Sequence, residues 1–221
     1  MILPEKIRYI AVEGVIGVGK TSLLHKLERR FTARGQELML LEEKFAENPF
    51  LEKFYEKPEE YAFQTQLFFL ISRQREILAN LIQNDLFRPV VMSDYTFDKD
   101  RIFALQNLSD DEFSMYETVA SALKRDLPRP DFIIYLQAGM ETLLSRIRRR
   151  NRAMERRISV DYLAELQERF DHYFWHYNKC PVLIVNTDRV DFVGNEPQFE
   201  EIAEAIERWP SGTTYFAPEG K

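Results

Sequence analysis

The chain has 221 residues, 45% of them hydrophobic and 30% charged, with a formal net charge of −6. That balance suits one α/β domain with a sizeable core and argues against nucleic-acid binding as its main business. No apolar run approaches a membrane span, residues 1–6 lack the apolar core of a signal peptide, and the lone Cys180 excludes an intrachain disulfide, so the expected compartment is the cytoplasm.

Residues 7–12 read as a buried strand and lead into Gly14-Val15-Ile16-Gly17-Val18-Gly19-Lys20-Thr21. This stretch fits G-x-x-x-x-G-K-[ST], the loop that cradles the phosphates of a nucleoside triphosphate. Glycines let backbone N–H groups close around an anion with no Cβ in the way. Lys20 can reach the β- and γ-phosphates, and the Thr21 hydroxyl, with Ser22 beside it, can serve Mg²⁺. Leu23, Leu24 and Leu27 then mark one face of a helix that runs to about residue 34, where Gly35 caps it. Residues 37–41 form a second strand that ends at Glu42-Glu43. Asn48-Pro49 starts a helix with Phe50, Leu51 and Phe54 on its apolar face, and a long helix follows over about 59–84. Residues 89–94 are a short apolar strand that ends on Asp94. Two helices come next, the second opened by the capping box Ser109…Glu112 and broken by Pro128 and Pro130. A fourth strand (132–136), helices over 140–150 and 161–177, a fifth strand (182–185) and a last helix (197–209) complete the pattern. The tail, 210–221, is expected to be loosely held.

Continuous apolar strands alternating with helices predict a five-stranded parallel sheet covered on both faces, in a single domain spanning residues 1–221. In such sheets ligands sit outside the carboxyl ends of the strands. Glu43 and Asp94 should therefore face the loop at Gly14. An acid after an apolar strand is where such proteins hold Mg²⁺, directly or through water, which suits Asp94. A second carboxylate near the γ-phosphate can take a proton from a substrate hydroxyl. Glu43 is the candidate for that base, with Glu42 and Glu47 as rivals. Arg146, Arg148, Arg149, Arg150, Arg152, Arg156 and Arg157 crowd one segment, and arginines offer planar, multidentate hydrogen bonds to a transferring phosphoryl group. A lid over ATP, about 146–158, is the preferred reading. Gln66 and Arg73 lie two turns apart on one helix face, where a buried glutamine can read a nucleobase edge.

Taken together, these motifs resemble the deoxynucleoside kinase family, particularly its bacterial members acting on purine deoxynucleosides. The resemblance runs over about residues 9–192. It is carried by the loop from Glu13 to Thr21, by Glu47-Asn48-Pro49-Phe50-Leu51 and Phe54-Tyr55-Glu56-Lys57-Pro58, and by Tyr61-Ala62-Phe63-Gln64-Thr65-Gln66 with Arg73. It continues through Asp94 to Asp100-Arg101-Ile102-Phe103-Ala104 and the arginine segment with Glu155. The resemblance implies a P-loop nucleoside-kinase fold and, position by position, a set of roles. Glu43 would be the base for the 5′-hydroxyl, and Tyr55 with Glu155 would hold the sugar 3′-hydroxyl. Gln66 would bind the base, flanked by the polar pair Arg73 and Asp100. Arg150 and Arg152, with Arg146 close by, would meet the phosphates, and Asp191-Phe192 would lie near the ATP adenine. The family is typically homodimeric.

There are two departures. Where many members have an acid-Arg-Ser triplet, this chain has Asp94-Tyr95-Thr96, which leaves the arginine's role to Arg101 or to an arginine of the lid. Glu43 is followed by Lys44 in place of the usual proline. The expected reaction is transfer of the ATP γ-phosphoryl group to the 5′-hydroxyl of a deoxynucleoside, with Mg²⁺, in nucleotide salvage. Asp100, as an acceptor, favours a base with an exocyclic amino group: deoxyadenosine first, then deoxycytidine or deoxyguanosine. The alternatives are a nucleoside monophosphate kinase of the thymidylate type, or an ATP-binding homologue that no longer catalyses. No nucleic-acid or membrane partner is expected.

Overall fold

The first strand, β1 (Tyr9–Glu13), is buried at all five positions, its first four residues as an apolar run requires and its last, Glu13, as a buried acid. Around it the structure, a computed structural model, describes residues 3, 7–81, 89–208 and 211–216. Five further strands follow: β2 (Leu38–Leu41), β3 (Val90–Ser93), β4 (Phe132–Gln137), β5 (Val182–Asn186) and β6 (Thr213–Phe216). All pairings are parallel, in the order β2-β3-β1-β4-β5-β6. The carboxyl ends of β1, β2 and β3 therefore lie side by side, and the residues after them meet there.

The helices are α1 (Lys20–Ala33), α2 (Leu51–Glu56), α3 (Pro58–Leu81), α4 (Phe97–Asn107), α5 (Asp110–Lys124), α6 (Met140–Arg150), α7 (Val160–Trp175) and α8 (Glu196–Glu207). Most bounds fall within two residues of those expected. The predicted ends at 84 and 209 lie outside the described residues, as do 210 and 217–221 of the tail. α1 presents Leu23, Leu24, Leu27 and Phe31, all fully buried, to the core. Its buried Arg30 donates to Glu200 of α8 at 2.7 Å and also pairs with Glu207. The backbone N–H of Ser109 donates to Glu112 at 3.0 Å, which is the capping-box contact at the start of α5.

The sheet has six strands, not five. Thr213–Phe216 falls in the stretch expected to be loose, yet it pairs with β5 from Val182↔Thr213 to Val185↔Phe216. Gly212, at φ 65°, makes the turn into it. β-Branched and aromatic residues suit a pleated surface, and without this strand the outer edge of β5 would be left unpaired. The run is only four residues long and follows Pro210, Ser211 and Gly212, which is why its strand character is masked in the sequence.

A half-buried acid ties the helices α4, α5 and α7 together. Asp98 of α4 accepts from Tyr173 of α7 and from Lys179, each at 2.8 Å, and pairs with Lys124 of α5. Burial pushes its carboxyl up, but the two lysines outweigh that and hold it at about 2. A depressed carboxyl contributes stability that is present above its unfolded value and lost as pH falls through its folded one. Asp98→Asn should therefore cost roughly 2 kcal/mol at neutral pH, or about 4–8 °C in Tm, with the gap narrowing between about pH 4 and pH 2. Thermal melts against pH would show it; a gap unchanged down to pH 3 would mean that the lysines do not hold Asp98 ionised.

Candidate active site

β1 delivers the chain into the glycine loop at its carboxyl end. Gly14 sits at φ 144°, and a Cβ there would lie 2.5 Å from the Leu136 carbonyl oxygen of β4. Gly17, at φ 87°, would put a Cβ 2.7 Å from Ile147 of α6. Glycine is required at both points, once by the sheet and once by the arginine-bearing helix. Lys20 folds back over the loop, and its Nζ donates to the carbonyls of Gly14 (2.8 Å) and Val15 (3.1 Å). Burial, and then the nearby Lys99 ammonium, pull Lys20 down to about 8, against Glu13, Asp94 and Glu43. A phosphate in the loop would replace the carbonyls as its partner and favour the ammonium further.

The Asp94 carboxylate joins two strand ends. Its Oδ2 accepts from the Thr21 hydroxyl at 2.7 Å, and its Oδ1 accepts from the Glu43 backbone N–H at 2.8 Å. One carboxylate and one hydroxyl beside a phosphate loop fit Mg²⁺, which keeps several waters and binds through one or two carboxylates plus phosphate oxygens. Of the three acids considered after β2, Glu43 is the one set among cations. Glu42 pairs with His25 at 3.2 Å, and Glu47 is exposed. Glu43 Oε1 accepts from Arg73 Nε at 2.9 Å and from its Nη2, while Oε2 accepts from Lys99 Nζ at 2.7 Å. Burial would push its carboxyl up, but Arg73 and Lys99 outweigh burial and hold it far below the usual carboxylate range.

These groups share a cavity of about 390 Å³, within the usual range for small-molecule sites. Ile16, Gly17, Gly19, Lys20, Thr21, Ser22 and Asp94 line one end. Gln66, Arg73, Phe69, Leu51, Phe54 and Tyr162 line the other, with Glu43 and Lys99 between. Gln66 is buried, and its Oε1 has no partner among the described residues. Tyr55 and Glu155 are both in the wall, as are Arg146, Arg150, Arg152 and Phe192. Arg150 donates to both oxygens of Glu155, at 3.0 and 2.6 Å, and Arg152 reaches one of them at 3.4 Å. Arg152 also stacks 3.7 Å over Phe45. Arg146 donates to the Val18 carbonyl at 2.8 Å and to Thr187, so it braces the glycine loop from above. Phe192 packs beside Gly19, within 3.1 Å of where a Cβ would stand. Val15 and Val18 turn their side chains into the core.

Several expected positions lie elsewhere. Asp100 is fully buried behind Arg73, with its oxygens taken by Arg73 Nη1 and, at 2.8 Å, by the Tyr116 hydroxyl. Burial raises its carboxyl to about 6 in spite of Arg73. It positions Arg73 and is not among the residues lining the cavity. Asp191 accepts from the backbone N–H groups of Val193 and Gly194, at 3.1 and 2.9 Å, and so shapes its own loop beside a neighbouring groove. Arg101 donates to Glu117 at 2.7 Å on the exposed side and is not among the residues lining the cavity. Tyr95 is buried, with its hydroxyl unpartnered among the described residues.

Two residues of the site escaped the sequence reading. Glu13, at the end of β1, accepts from the N–H groups of Thr96 (2.5 Å) and Gly14 (3.3 Å), pinning α4 to the loop. Lys99, in the first turn of α4, is the second cation on Glu43. Its flanking aspartates, Asp98 and Asp100, give it the look of an ordinary surface lysine. The one available signal is its position three residues after Thr96, whose side chain caps α4 by accepting from the Lys99 N–H at 3.2 Å.

Comparison with known proteins adds to the geometry. Residues 10–209 match the family model for deoxynucleoside kinase. The chain is 36% identical over 203 residues to a deoxyguanosine kinase of Bacillus subtilis, covering 88% of this chain and 94% of that one. It is 31% identical over 207 residues to a deoxyadenosine/deoxycytidine kinase of the same organism, covering 89% and 90%. Among solved structures, deoxyadenosine kinase from M. mycoides with bound dCTP superposes with a TM-score of 0.74 at 23% identity, over 90% of this chain and 99% of that one, a likeness of fold. No described helix is long and apolar enough to cross a membrane.

Proposed function

Because the chain belongs to the deoxynucleoside kinase family, we propose that it transfers the γ-phosphoryl group of ATP to the 5′-hydroxyl of a purine deoxynucleoside. One observation carries this reading. A single cavity holds the phosphate loop with Lys20 at one end, the orphaned Gln66 amide at the other, and the Glu43 carboxylate between them. That is the order of phosphate, 5′-oxygen and base in the reacting pair.

In this reading the 5′-hydroxyl gives its proton to Glu43 as its oxygen bonds to the γ-phosphorus. The bond from that phosphorus to the bridging oxygen breaks, and ADP leaves with the electron pair. Lys20 and the backbone of the loop hold the β- and γ-phosphates. Thr21 and Asp94 would hold Mg²⁺, which, when bound, neutralises phosphate charge. Tyr55 and Glu155 take the sugar 3′-hydroxyl; by engaging Glu155, the sugar frees Arg150 and Arg152 to close over the phosphates as a lid. Phe192, beside Gly19, lies where the adenine of ATP would rest. The family resemblance also supports a homodimer and a role in nucleotide salvage.

Preference for deoxyadenosine, then deoxycytidine or deoxyguanosine, rests on an acceptor for an exocyclic amino group. In the cavity that acceptor is Gln66 Oε1, with Asp100 acting through Arg73. The same amide turned end for end would donate to the O6 of guanine. ADP release with Mg·ATP and each of the four deoxynucleosides, with dTMP alongside, tests the proposal. Turnover on a purine deoxynucleoside and none on dTMP is expected. Turnover on dTMP alone would overturn both the acceptor and the role of Glu43.

A further inference from the structure

Glu43 carries two cations, and they are held in different ways. Arg73 engages Oε1 with two N–H groups, is itself tied to Asp100, and has no freedom to turn. Lys99 Nζ makes one hydrogen bond to that carboxylate, to Oε2 at 2.7 Å, with the Phe103 ring 5.9 Å away, and an ammonium has three donors on a flexible stem. Its side chain is 4% exposed and lies in the cavity wall. It reaches the carboxylate of Glu43, whose backbone N–H donates to Asp94, and so stands between the glycine loop and Arg73. Arg73 places both of its donors to Glu43 on Oε1, so Lys99 is the cation on Oε2, and Oε2 is the oxygen a substrate hydroxyl can reach by displacing a single flexible donor. Of the arginines in the cavity wall, Arg150 and Arg152 pair with Glu155 and Arg146 with the Val18 carbonyl and Thr187, so among the described residues the ion pairs on Glu43 come from Arg73 and Lys99.

We propose that Lys99 is the cation of the acceptor oxygen, an inference that rests on the kinase reading above. In the structure it donates to Glu43 Oε2. With a nucleoside bound, that oxygen takes the 5′-hydroxyl proton, and the Lys99 ammonium turns to donate to the 5′-oxygen and to the phosphoryl group arriving on it. The O–H bond breaks toward Glu43, the 5′-oxygen–phosphorus bond forms, and the phosphorus–ADP bond breaks with its electron pair on ADP. Lys99 keeps its three protons throughout, and Glu43 later yields its proton to water. Placement of the ammonium is set from β1: Glu13 fixes the Thr96 N–H, and the Thr96 side chain caps the turn that carries Lys99.

The test compares Lys99→Met and Lys99→Arg with wild type, reading calorimetric binding of a deoxynucleoside and of its 5′-monophosphate beside steady-state kinetics. In the methionine variant, nucleoside affinity should stay within about threefold, while the monophosphate weakens by about 10- to 100-fold, the loss of one charge-assisted contact. Its kcat should fall by about 10²-fold with KM for ATP little changed, and arginine should restore part of both losses. Equal weakening of nucleoside and monophosphate, or no change in either, would overturn the proposal, since a structural role cannot distinguish the two ligands. If Lys99→Met does not fold, Lys99→Gln, which keeps a neutral donor, takes its place with the same expectations. A wild-type protein that neither binds nor phosphorylates any deoxynucleoside would instead overturn the kinase reading, and the proposal with it.

Discussion

Glu43→Gln is expected to lower kcat by at least ~10²-fold with any deoxynucleoside that the wild type accepts. Glutamine has the same shape, and its side-chain oxygen can still accept from Arg73, so the fold and the cavity should survive. What is lost is the charge and the ability to take a proton. Burial would push the Glu43 carboxyl up, but Arg73 and Lys99 hold it far down, so it stays ionised at every physiological pH. The activity profile should therefore show no acid limb from this group between pH 5 and 8. A carboxylate held so low is a weak base at equilibrium. In a loose phosphoryl-transfer transition state this matters little, because the alcohol proton becomes acidic only as its oxygen bonds to phosphorus. Steady-state kinetics on the folded variant decide the matter: kcat near that of wild type would remove Glu43 as the base.

The largest loss of stability should come from Arg73→Met. Arg73 is 4% exposed and lies between Glu43 and the fully buried Asp100. Removing one partner of a buried ion pair costs about 3–5 kcal/mol, because the abandoned charge has no water to turn to. For a chain of this size that is on the order of 10 °C in Tm. Asp100 gives the loss a pH dependence. Burial already raises its carboxyl to about 6 against the pull of Arg73, and without the arginine it must rise further. A carboxyl raised above its unfolded value costs stability as pH climbs through its folded value, so the variant should suffer more at pH 8 than at pH 5. Adding Asp100→Asn should recover part of the loss. Melts at the two pH values check this; equal losses at both would mean that Asp100 carries no charge in the folded protein.

Elements that bury a continuous apolar face were plain in the sequence, and β1, α6 and β4 fall almost where periodicity puts them. β6 was hidden because its identity as a strand comes from the open edge of β5, a fact of tertiary structure rather than of its own four residues. The same division runs through the site. Glu43, Asp94 and the glycine loop were legible because parallel topology forces strand ends together. Asp100 and Lys99 are neighbours in the first turn of α4, yet one is sealed behind Arg73 and the other faces the cavity. Successive residues of a helix face different directions, and the contact of Glu13 with the Thr96 N–H holds the first turn of α4 against the loop. Arg101 lies outside the cavity for the related reason that its place on the helix carries it outward to Glu117.

The strand order has a consequence for how the protein is made. β1 sits between β3 and β4, so its partners, Val90–Ser93 and Phe132–Gln137, are translated some 80 and 120 residues after it. Gly14 is shaped against Leu136, and Gly17 against Ile147. At ~5–20 residues per second, the glycine loop leaves the ribosome roughly ten seconds before the chain that gives it form exists. Gly14 and Gly17 thus take their native conformation only after residues more than about a hundred positions later have been made. During that interval an apolar β1 with neither neighbour is the segment most exposed to wrong pairing.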